Sequence, residues 1–78
     1  MERDLREQIL KLFREHGVIG QISQAVPEEA DEAVFVVSPK SAAEMREREL
    51  TMSLMSLLRK KVWITTDGDH WKNLTKPL

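Results

Sequence analysis

The dipeptide Asp67-Gly68 stands between Val62-Trp63-Ile64-Thr65-Thr66 and Asp69-His70-Trp71-Lys72-Asn73-Leu74, and predicts a β-hairpin over residues 61–74. A type I′ turn needs two residues that accept positive φ, and Asp-Gly does so at little cost. Such a turn fixes the register: Thr66 opposite Asp69, Thr65 opposite His70, Ile64 opposite Trp71 and Trp63 opposite Lys72. Side chains alternate along each strand. Val62, Ile64 and Trp71 then share one face, while Trp63, Thr65, His70 and Lys72 share the other. The first set is the more apolar and is expected to face the core.

Upstream, Leu5, Ile9, Leu12, Phe13 and His16 recur at the helical period and predict an amphipathic helix over residues 2–16. Gly17 is placed to end it as the residue after the cap. Residues 18–26 are ambiguous, because Val18, Ile19 and Ile22 favour a strand that Gly20 weakens. The acidic run from Pro27 to Glu32 reads as a loop or a single helical turn. Ala33-Val34-Phe35-Val36-Val37 is apolar on both faces and predicts a central, buried strand ended by Ser38-Pro39. A second helix is expected from Ser41 to about Lys60, its start marked by Ser41 and Glu44 in the capping-box spacing S-x-x-E.

The element order is therefore α-β-β-α-β-β, an α+β fold in which two helices cover one face of an antiparallel sheet as a two-layer sandwich. A winged helix-turn-helix is the alternative if residues near Gly20–Val26 or Glu28–Val37 are helical, against which Val34-Phe35-Val36-Val37 argues. At 78 residues the chain makes one small domain. With no cysteine it lacks disulfides and thiolate metal sites. A chain so short buries only a little over ~60% of its unfolded surface, so self-association is an available route to further burial. No apolar run nears the ~20 residues of a membrane span. The N-terminus, Met1-Glu2-Arg3-Asp4, leads into no apolar segment of a signal peptide. A cytoplasmic protein with no membrane partner is expected.

Catalytic chemistry finds little support. The two histidines, His16 and His70, are the available imidazole bases, and there is neither a G-x-S-x-G elbow nor a glycine-rich phosphate loop. Asp67, Asp69 and His70 have ligand chemistry, but the hairpin register sends Asp69 and His70 to opposite faces and rules out one shared metal site. The expectation is a non-enzymatic chain with no cofactor, metal or small-molecule substrate.

Two surfaces remain. From Leu50 onward the second helix carries Leu50, Leu54, Leu57 and Leu58 on one face, with Met52 and Met55 well off it, widening the apolar arc to roughly 220° where ~100° suffices for a surface helix. Methionine adapts to varied partners. Met45, Met52, Met55 and Leu58 are thus candidates for a protein interface, with a homodimer as the leading expectation. The competing expectation is that Met52 and Met55 pack against the first helix. The second surface gathers Arg59, Lys60, Lys61, Trp63, His70 and Lys72 around one aromatic ring, an arrangement that stacks bases and neutralises phosphates in binders of single-stranded nucleic acid. It accords with a charge split: residues 1–39 hold four basic against eight acidic side chains, and residues 40–78 eight against five. The simpler readings are a cation–π pair between Trp63 and Lys72, and an acidic segment (Glu28, Glu29, Asp31, Glu32) that is merely a solvated loop.

Overall fold

A computed structural model describes residues 3–26, 29–66, 68, 71 and 74–78. Two helices and four strands follow in the order α1 (Arg3–Glu15), β1 (Ile22–Ala25), β2 (Glu32–Val37), α2 (Glu47–Leu58), β3 (Lys61–Thr65) and β4 (Thr75–Pro77). The class is α+β. The four strands form one sheet in the order β3-β2-β1-β4. Both β1–β2 and β1–β4 are antiparallel, whereas β2–β3 is parallel. The sheet is mixed and not antiparallel throughout. Residues 22–25 and 32–37 are strands, where a winged helix-turn-helix would need helix.

Of the expected hairpin, residues 67, 69, 70, 72 and 73 lie outside the described residues, and among the described ones the Ile64–Trp71 pair is not formed. β3 and β4 occupy opposite edges of the sheet, and Trp71 and Leu74 lie in turn and bend geometry outside any strand. The physical reason lies in β2. A strand apolar on both faces needs neighbours at both edges, and β3 offers it better pairs than residues 69–74 offer β3. In the parallel register Val62 lies beside Ala33, and Ile64 beside Phe35. The hairpin would instead have set Val62 against Asn73. The link from β2 to β3 is a β-α-β crossover through α2, the usual way to join parallel neighbours.

β4 runs in the same direction as β3 but at the far edge of the sheet. Gly68 lines a surface pocket with Ser23 and Val36, and Trp71 lines another with Ala25 and Val34. These four neighbours point away from the helices. Gly68 and Trp71 thus lie toward the sheet's second face, where Val36 is buried. β2 is covered on both sides, as its sequence requires.

On the helical side, Ile9 and Phe13 of α1 and Leu50 and Leu54 of α2 pack with Val18, Ile22, Ala33, Phe35, Val37 and Val62. Each large aliphatic or aromatic side chain buried this way contributes about 1.5–3 kcal/mol. Phe13 and Phe35 meet edge to face, centroids 5.4 Å apart at 67°. α1 ends where Gly17 adopts φ +91°; Gly17 N–H bonds the Arg14 carbonyl (3.2 Å) and Val18 N–H the Phe13 carbonyl (3.0 Å). This pair is a Schellman motif, completed by the burial of both Val18 and Phe13.

α2 begins at Glu47, six residues after the expected cap. Ser41 and Glu44 lie in a succession of turns over residues 39–44, and no capping box forms. The cap there is Ser38, whose Oγ accepts from the Ser41 amide (3.1 Å) while its carbonyl accepts from Ala42 N–H (3.0 Å). Pro39 follows it in the position that suits a first helical turn. The turn does not run on into α2, because Arg46 is spent on α1. Its backbone N–H donates to the His16 carbonyl (2.9 Å) and its guanidinium to the Glu15 carbonyl. A cation at a helix C-terminus meets the negative end of the dipole. Arg46 therefore ties the start of one helix to the end of the other.

Candidate interaction surface

α2 buries Leu50 and Leu54 fully. At ~100° per residue, Leu57 falls on the flank that faces α1, where it lines a groove with Gln8, Lys11 and Leu12. Thr51, Leu58 and Met55 fall on the opposite flank, above the outer edge of the sheet. Met52 points outward beyond them. Met52 is 63% exposed and Met55 40%. The side of α2 toward α1 carries Leu57 in place of these two side chains. Met45 and Leu58 sit differently: both are half-buried and pack against the core. Of the four residues proposed for an interface, Met52 and Met55 are exposed, Leu58 borders them, and Met45 lies before α2 near Gly17. Arg48, Met52, Met55 and Arg59 follow one another at i, i+4, i+7 and i+11, so the methionines lie between two exposed arginines.

The aromatic, basic surface is placed in part. Lys61, Trp63 and Thr65 project from β3 on the face away from the helices, and Trp63 is 55% exposed. Arg59 is exposed and takes the left-handed conformation (φ 56°) that closes α2, its N–H bonding the Met55 carbonyl at 2.8 Å. Lys60 Nζ donates to the Glu29 carbonyl (2.9 Å), and Lys61 N–H to the Asp31 carbonyl (3.1 Å). Lys61 also sits beside Glu32 in the parallel register. Residues 29–32 and the basic run are thus neighbours, joined through backbone carbonyls. His70 and Lys72, and with them the Trp63–Lys72 pair and the Asp67, Asp69, His70 cluster, lie outside the described residues. Among the described residues no group of three His, Asp or Glu could hold a metal ion, and no helix is long and apolar enough to cross a membrane.

Three features were not anticipated. Gln24 is 2% exposed on the core face of β1, between Phe35 and Lys76, and its Nε2 has no hydrogen-bond partner among the described residues. The alternation Ile22-Ser23-Gln24 carried that signal, because Gln24 follows Ile22 by two. Ile19 is largely exposed beside Gly20. The left-handed Arg59 has no counterpart in the sequence pattern, where glycine usually marks such a cap. No family model matches the chain, and neither a curated protein nor a solved structure shows significant similarity to it.

Proposed function

We propose that this chain is a small, non-enzymatic, cytoplasmic interaction protein that associates with itself through the outer face of α2. The observation that carries the reading is the exposure of Met52 and Met55 on a helix whose other face already fills the core. Two methionines side by side, bordered by half-buried Leu58, make an apolar strip that a monomer gains nothing by displaying. Exposed arginines at either end give it a polar rim. Light scattering and sedimentation across the micromolar range test this: a mass that rises to twice that of the chain supports it, and a strict monomer removes it.

A second reading is favoured by one observation, the half-exposed Trp63 ring beside Lys61 on β3. Such a ring could stack on an unpaired base. The reading ranks below the first because the Lys60 ammonium is already engaged with the Glu29 carbonyl, and the net charge of −1 gives no general attraction to phosphate. Titration with single-stranded RNA at two salt concentrations decides it. Quenching of Trp63 with steep salt dependence supports the reading, and a flat response removes it.

A further inference from the structure

We infer that the self-association proposed above is built on β3: two copies pair their β3 strands antiparallel about a two-fold axis at Trp63, making one continuous eight-stranded sheet with the α2 helices side by side above it. This rests on the reading that α2 mediates self-association and specifies how the copies meet.

The two edges of the sheet are unlike. β4 is three residues long and carries Lys76 and Pro77, features that blunt an edge against further pairing. β3 is five residues long, Lys61-Val62-Trp63-Ile64-Thr65, with no proline and an unbroken apolar centre, and β2 is its only strand neighbour among the described residues. It is the better template for another strand.

A second copy fits that template. Read antiparallel about Trp63, the segment sets Val62 opposite Ile64 of the other copy, Trp63 opposite Trp63, and Lys61 opposite Thr65. No like charges meet. The Val62–Ile64 pairs extend the helix-side core, and the two tryptophans pair on the other face, where each is now half-exposed. Cross-strand aromatic pairs of this kind stabilise antiparallel ladders.

α2 lies over the same edge. The flank opposite α1 carries Thr51, Met55 and Leu58 above β3, so strand pairing brings this flank against its equivalent. The helices then run antiparallel. The acidic first turn of one, with Glu47 and Glu49, approaches the basic end of the other at Arg59 and Lys60. Strand register, apolar flank and charge select the same partner, a second copy.

The absence of native cysteine makes the register directly measurable. In an antiparallel pair, directly opposed Cβ atoms lie ~4.5–5.5 Å apart, within reach of a disulfide. Under mild oxidation, Trp63→Cys should convert almost wholly to a disulfide-linked dimer. Lys61→Cys alone should not, but a mixture of Lys61→Cys with a mass-tagged Thr65→Cys should give the heterodimer. Lys11→Cys on the exposed side of α1 is the control. A wild-type dimer in which Trp63→Cys links no better than Lys11→Cys, or in which Lys61→Cys links to itself as readily as to Thr65→Cys, overturns the β3 register while leaving the α2 reading in place. A wild-type monomer overturns both.

Discussion

A Cβ atom on Gly17 would stand 2.4 Å from the carbonyl oxygen of Glu44, closer than non-bonded atoms come. The end of α1 and the turns leading into α2 therefore touch backbone to backbone at this point. Both the close approach and φ +91° exclude a side chain. Gly17→Ala should destabilise the fold by about 2–4 kcal/mol, combining left-handed strain with displacement of the 44–46 segment. Chemical denaturation measures it. A loss below ~0.5 kcal/mol, the range of an ordinary surface substitution, would show that the two segments do not meet as described.

Arg59 presents the opposite case, a side chain where glycine would serve better. Its φ of 56° closes α2 through the bond to the Met55 carbonyl. A non-glycine residue in this region carries roughly 1–2 kcal/mol of strain. Arg59→Gly should recover about 0.5–1 kcal/mol of that after the added freedom of the unfolded chain is offset. For a domain of this size the gain reads as a rise in Tm of roughly 2–8 °C. An unchanged or lowered Tm would mean that the guanidinium makes a compensating contact.

Gln24 is a polar side chain enclosed by the core face of β1. A buried amide nitrogen without a partner costs about 1–3 kcal/mol in desolvation, whereas an apolar group of similar shape costs nothing of the kind. Gln24→Met keeps length and flexibility and removes the amide. It should raise stability by about 1 kcal/mol, read from the midpoint of a urea transition at unchanged slope. Destabilisation of that size would assign the amide a structural partner.

Local chemistry was legible in the sequence where it depends on a few neighbouring residues, and failed where distant strands compete. The helical stripe from Leu5 to Phe13 and the stop at Gly17 are such local features, and α1 spans Arg3–Glu15. The apolar run of β2 required burial on both faces and obtained it. Asp67-Gly68 carried an equally strong local signal, yet β3 pairs with β2 because Val62 and Ile64 find Ala33 and Phe35 there. Even so, the division of β3 into a Val62/Ile64 face and a Trp63/Thr65 face holds, since alternation depends on the pleat and not on the partner. Ser41-x-x-Glu44 failed for a different reason. Ser38 already caps that turn, and Arg46 leaves the path of a continuous helix to hold the end of α1. For the interaction surface, the excess width of the apolar arc on α2 was visible in the spacing of Met52 and Met55. Which side of the helix met α1 was not, because that depends on the parallel crossover.

The two faces of α2 should respond oppositely to substitution. Leu54 is fully enclosed, so Leu54→Ala leaves a cavity and should cost about 2–5 kcal/mol whatever the protein concentration. Met52 and Met55 touch solvent, and a Met52→Glu, Met55→Glu double variant at low concentration should retain the wild-type unfolding midpoint to within ~0.5 kcal/mol. At high concentration the wild type should gain stability by mass action, its Tm climbing as dimer accumulates, and the double variant should not. The carboxylates act by desolvation: a charge in the centre of an apolar contact has no counter-ion there, and Glu47 and Glu49 of the same helix add repulsion. Thermal scans at low and high concentration, paired with sedimentation, separate the contributions. A concentration-independent Tm in the wild type, or a double variant that unfolds as readily as Leu54→Ala, would place the methionines in the monomer's own core and end the case for an interface on this helix.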